Sequence, residues 1–68
     1  MLIGKQITGF KFEEKDYPEI GWIEEMDLLI GSVGKIIMEN KFLKCYEVDF
    51  GNDQVWHYPA KEIRKYLL

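Results

Sequence analysis

The chain has one cysteine, Cys45, and one histidine, His57. A lone thiol closes no internal disulfide, and one Cys with one His falls short of the ligand set of a structural zinc site. A chain of this kind is expected in a reducing, cytoplasmic setting, with no metal and no cofactor. No charged segment followed by an apolar run opens the sequence, and no apolar run approaches the ~20 residues of a membrane helix. A soluble protein with no membrane partner is therefore expected, and the opening Met1 leads us to expect a complete small one. Sixty-eight residues leave room for one domain, spanning 1–68, and a domain of that size buries only about 60% of the surface its unfolded chain exposes. Repeats, low-complexity tracts and interdomain linkers are absent as well.

Basic charge is scarce where acid is dense. The net charge is −3, yet residues 13–27 hold seven acids (Glu13, Glu14, Asp16, Glu19, Glu24, Glu25, Asp27) against the single Lys15, a local charge of −6. The rest of the chain carries +3, from eight bases and five acids. A sequence-independent grip on DNA or RNA needs a basic face, so direct nucleic-acid binding is not expected. What the chain has in quantity is aromatic side chains, 15% of its residues, which suit a small β core.

The central stretch, 31–58, has the pattern of three antiparallel strands with two tight turns: strand 33–38, turn Glu39-Asn40-Lys41, strand 42–50, turn Gly51-Asn52-Asp53 and strand 54–58. On the long middle strand Phe42, Tyr46, Val48 and Phe50 share one parity, which Lys44 interrupts, and that face is expected to meet the core. Gly and Asn tolerate positive φ at the second turn. A three-residue loop there sets Val48 against Trp56, Tyr46 against Tyr58 and Glu47 against His57; a two-residue loop sets Val48 against His57. The first register stacks the large apolar groups on one face and is the one expected.

Residues 1–12 read as a first strand in which Ile3 and Ile7 share one parity and Phe10 and Phe12 the other, so a bend near Gly9 switches the buried face, a device of small barrels. Lys5, Gln6, Thr8 and Lys11 alternate outward. Residues 13–30 are too long for a hairpin turn and too apolar for a linker. Tyr17-Pro18 holds the chain extended. Trp22, Ile23, Met26, Leu29 and Ile30 then recur at helical spacing up to Gly31, predicting one or two helical turns within 22–29 that lie as a lid over the core. Pro59 ends the last strand of the meander, and 60–68 forms a turn of helix or a short final strand whose Ile63, Tyr66 and Leu67 close the core.

In order along the chain stand a strand, a long loop, G-x-x-G-x-I (Gly31-Ser32-Val33-Gly34-Lys35-Ile36), V-x-F (Val48-Asp49-Phe50), a polar turn and W-x-Y-P (Trp56-His57-Tyr58-Pro59) before a short closing segment. This layout resembles SH3-like small barrels, and among them the Mind bomb type repeats and small uncharacterised proteins of bacteria and their phages. The resemblance covers nearly the whole chain. It implies a mainly β, five-stranded SH3-like barrel with a long acidic loop after the first strand and a short helical turn near the C terminus. It also implies a fold used for binding peptides or other proteins. A more local stretch, Asp49-Phe50-Gly51-Asn52 followed by Ile63-Arg64, is similar to the D-Y-G-N and L-R of Tudor domains, with Phe50 where the tyrosine of a methyl-group cage stands.

Sites for chemistry are thin. Cys45 and His57 become diagonal neighbours on one sheet face in the three-residue register, a thiolate–imidazole geometry with nothing in the sequence to supply an oxyanion hole. Ser32 has no elbow motif around it, and Gly31 and Gly34 lack phosphate-loop spacing. The expected function is non-catalytic: a protein- or peptide-binding module. The resemblance implies a groove flanked by the long loop and the last turn, with Tyr17, Trp22, Trp56, Tyr58 and Pro59 giving aromatic and apolar contact. Glu24 and Glu25 would select a basic segment of the partner. The alternative is a small phage or bacterial regulator whose acidic patch occupies the nucleic-acid-binding surface of a host protein. A third possibility, pairing of two copies through an exposed edge strand, leaves the oligomeric state open.

Overall fold

The computed structural model describes residues 1–68. Four strands, β1 (Gln6–Thr8), β2 (Val33–Asn40), β3 (Cys45–Asp49) and β4 (Val55–Pro59), form one antiparallel sheet in the order β1-β2-β3-β4. A short helix, α1 (Ala60–Ile63), follows β4, and 3-10 turns occupy Glu14–Asp16, Glu24–Leu29 and Arg64–Tyr66.

The expected five-stranded closed barrel does not form; the sheet is open and four-stranded. Two local causes account for this. After Pro59, which fixes its own φ at −66°, Ala60, Lys61 and Glu62 favour helix, and the closing segment winds instead of extending. Only the last two residues then reach β1, Leu67 through an isolated bridge to Ile7 and Leu68 through its amide, which donates to the Gln6 carbonyl at 2.9 Å. At the other end β1 is three residues long. Gly4 takes φ +92° and the Lys5 amide bonds the Leu2 carbonyl, so a turn replaces the start of the expected strand. Leu2, not Ile3, is consequently buried.

The switch of buried face near Gly9 does occur: Ile7 is buried on one parity, Phe10 and Phe12 on the other. Gly9 leaves β1 and makes a parallel bridge to Ile30. No side chain fits there, because a Cβ on Gly9 would run into the Leu29 carbonyl. Gly34 is a second close approach, with a Cβ placed 2.6 Å from Val48 Cγ1 and 2.7 Å from Phe50 Cε1.

β3 begins at Cys45, not at Phe42. The Asn40 side chain accepts the Leu43 amide at 2.9 Å and Lys44 adopts φ +56°, so residues 41–44 form the turn and Phe42 projects into solvent, 92% exposed. A side-chain cap has here outcompeted a strand ladder. The second hairpin has the expected register, with Tyr46 against Tyr58, Glu47 against His57 and Val48 against Trp56. Gly51, Asn52 and Asp53 all take positive φ, and Asp49 Oδ1 accepts the Gly51 amide at 2.8 Å. An irregularity between Ile36 and Met38 inserts Ile37 as an extra residue on β2. Ile36 is buried while Ile37 and Met38 are exposed.

The core comprises Leu2, Ile7, Phe10, Phe12, Met26, Ile36, Tyr46, Val48, Tyr58 and Ile63. Each large apolar side chain so buried contributes about 1.5–3 kcal/mol before entropy is counted. Tyr66 stacks on Phe10 (4.0 Å between centroids, 5° between planes), and Tyr58 meets Phe10, Phe12 and Phe50 at 4.9, 5.9 and 5.9 Å. The Tyr58 hydroxyl is buried without a hydrogen-bond partner.

Two stability measurements follow from this packing. Tyr58→Phe removes an unpaired buried hydroxyl and should leave stability unchanged or raise it by up to about 1 kcal/mol in denaturant unfolding; a clear loss would mean that the oxygen is bonded. Gly9→Ala should cost about 1–3 kcal/mol, since backbone and not a flexible side chain fills the space.

Candidate binding site on the acidic loop

The loop between β1 and β2 is organised by aromatic contacts on one side and carries its acids on the other. Tyr17 accepts the amides of Ile20 and Gly21 at its carbonyl, each at 3.0 Å, and Gly21 turns the chain at φ +75°. Tyr17, Ile20 and Trp22 pack against the core, and Met26 belongs to it. Phe12 is the anchor, meeting the Tyr17 ring at 5.8 Å and the Trp22 ring at 5.1 Å, both edge to face.

The expected helical turns within 22–29 are a 3-10 turn, Glu24–Leu29, with Gly31 just beyond it at φ +86°. Of the apolar stripe only Met26 is fully buried, and Leu28 is 84% exposed. Glu24, Glu25 and Asp27 surround Leu28 and line an open hollow of about 440 Å³. Asp27 is engaged: its Oδ1 accepts the Trp22 indole N–H at 3.0 Å and lies 3.6 Å from Lys11 Nζ, which stands 4.2 Å from the centroid of the Trp22 ring. Glu24 and Glu25 have neither an ion-pair nor a hydrogen-bond partner. A smaller hollow of about 150 Å³ is lined by Asp16, Tyr17, Glu19, Lys44 and Lys61.

Tyr17 ties the loop to the C-terminal segment. Its hydroxyl donates to Glu62 Oε2 at 2.7 Å, and Glu62 Oε1 takes Lys65 Nζ at 3.0 Å. The bond to Glu62, helped by burial, pushes the Tyr17 phenol up to about 12. The same bond, followed by the one from Lys65, holds the Glu62 carboxyl below its ordinary range. Burial alone pushes Tyr58 up to about 12.

Of the residues expected to bind, Trp22, Glu24 and Glu25 lie together on the loop, and Tyr17 reaches Trp22 through Phe12. Trp56 is half-buried at the core margin, its indole N–H donating to Gln54 Oε1 at 3.0 Å. Tyr58 and Pro59 are interior and offer no surface to a partner. Lys11, Asp27 and Leu28 complete the arrangement. In the sequence Asp27 stands out as one acid of the charged run and Lys11 by its outward parity between Phe10 and Phe12, while nothing singles out Leu28.

Cys45 faces Pro59 across the hairpin, and His57 Nε2 lies 3.8 Å from Glu47 Oε2. The thiol is fully buried and pushed up by burial first and by Glu47 and Glu19 next, the reverse of an activated nucleophile. Phe50, at the Tudor-like tetrapeptide, packs on Tyr58 and over Gly34. No cluster of three or more His, Cys, Asp or Glu could hold a metal, and no helix is long and apolar enough to cross a membrane. Comparison with protein-family models, with curated proteins and with solved structures gives no match in any of the three.

The two raised phenols set an alkaline limit. From the ordinary 10.0 up to about 12 the folded chain keeps protons on Tyr17 and Tyr58 that the unfolded chain releases, so stability falls as pH rises through that window. Tyr17→Phe and Tyr58→Phe should each flatten the fall in denaturant unfolding across it. An unchanged slope in both variants would refute this account.

Proposed function

We propose that the chain is a non-catalytic binding module that takes a basic, partly apolar segment of a protein partner on the surface formed by Glu24, Glu25, Asp27 and Leu28, with Trp22 at its margin. The observation that carries the reading is the pairing of two carboxylates without partners with an 84% exposed leucine. Neighbouring acids repel one another, and a cationic partner relieves that repulsion while Leu28 supplies apolar contact. A free buried thiol fits work in the cytoplasm.

Titration calorimetry with a short peptide of alternating lysine and leucine tests this, with a glutamate–leucine peptide as the control. The lysine peptide should bind, more weakly as salt rises, and the glutamate peptide should not. Glu24→Gln/Glu25→Gln should weaken binding about tenfold with a melting temperature equal to or above that of wild type, since two mutually repelling charges are removed. Equal binding of the two peptides, or none of the lysine peptide, would overturn the proposal.

A further inference from the structure

Lys11 lies between two buried rings, Phe10 and Phe12, and is itself exposed. Its ammonium is held against the Trp22 ring at 4.2 Å and beside the Asp27 carboxylate at 3.6 Å. The indole N–H bond to Asp27, at 3.0 Å, fixes the ring and the carboxylate relative to each other. The Trp22 backbone amide is held as well, by Glu14 Oε1 at 3.0 Å. An aromatic face and an adjoining carboxylate, both positioned in advance, recognise one ammonium or guanidinium group. Asp27 also lines the hollow with Glu24, Glu25 and Leu28, so this seat opens onto the proposed binding surface. The Lys11 and Asp27 side chains are 52% and 53% exposed, and contacts that wet are readily exchanged.

We propose that the Trp22 face and Asp27 form a seat for one lysine or arginine side chain of the partner, and that Lys11 fills this seat in the free protein as a built-in competitor. The inference rests on the basic-segment reading above and adds the cation seat and its self-occupancy. A partner cation displaces Lys11 from the seat. The observed affinity is therefore lower than the intrinsic one by the fraction of molecules in which Lys11 is off the ring.

The test titrates the lysine–leucine peptide into wild type, Lys11→Met and Lys15→Met, with thermal melts to confirm folding. Methionine keeps a flexible apolar side chain without the charge. Lys15 has no ion pair or ring contact, so its variant measures the effect of net charge alone. Lys11→Met should bind about three- to tenfold more tightly than wild type, and Lys15→Met less than about twofold more tightly. Adding Asp27→Asn should abolish the Lys11→Met gain, and Lys11→Gln should reproduce that gain if methionine disturbs the fold. Wild-type binding with no gain in Lys11→Met, or equal gains in the two lysine variants, would overturn the competitor while leaving the basic-segment reading intact. Absence of peptide binding in wild type and both lysine variants would overturn both.

Discussion

The tilted and edge-to-face ring contacts of Phe12 are what the rest of the molecule depends on. One ring meets Phe10 at 6.3 Å, Tyr17 at 5.8 Å, Trp22 at 5.1 Å and Tyr58 at 5.9 Å. Phe10 continues the chain of rings to Tyr66 near the C terminus, and Tyr58 continues it to Phe50. A short chain has few residues to bury, 14 of 68 here, so each buried residue has to join several segments at once. Aromatic side chains do this because they carry a large area and prefer tilted contacts that bring three or four neighbours to one ring. The acidic loop has little regular structure of its own, and its shape follows from where Phe12 lets Tyr17 and Trp22 rest.

Backbone contact supplies the second constraint. The Gly31 amide donates to the Gly9 carbonyl at 2.9 Å and the Gly9 amide to the Ser32 carbonyl at 2.8 Å. The two ends of the loop are thus clamped where β1 stops and β2 starts. A side chain at Gly9 would push these ends apart, and one at Gly34 would drive Phe50 off the sheet. The glycines therefore fix the mouth of the loop by allowing close approach, and the rings fix its body by packing.

Much of the sheet was legible in the sequence because side chains alternate strictly along a strand. The parity of Tyr46 and Val48 against Trp56 and Tyr58 sufficed for the register of the second hairpin. Phe42 lies in the turn and not on β3, and its parity carries no trace of the Asn40 cap that ends the strand ladder there. Of the two readings of the closing segment, the turn of helix is the one found, α1 with the 3-10 turn after it, and this leaves only Leu67 and Leu68 to reach β1 in place of the fifth strand a closed barrel needs. Within the site, Trp22, Glu24 and Glu25 could be named from an acidic, aromatic loop. Trp56 and Tyr58 share a parity and so a face of β4, which alone does not decide between core and partner contact; Tyr58 and Pro59 are buried and Trp56 is half-buried. Asp27 and Lys11 lie five residues after and eleven before Trp22, at spacings with no periodic signature, and only the folded loop brings them to one ring.

The distribution of charge bears on why the loop keeps so many acids. Of its seven carboxylates, Glu14 and Asp27 are held by Trp22 or Lys11, while Glu13, Asp16, Glu19, Glu24 and Glu25 have no partner within the chain. Like charges crowded on one loop oppose the compact state, and a domain this small has little stability to spare. Solubility alone would be served by the same charges spread over the surface. In the binding reading we propose, concentrating them beside an exposed leucine and a ring already seating a cation would give up folding free energy locally and return it when a cationic partner binds.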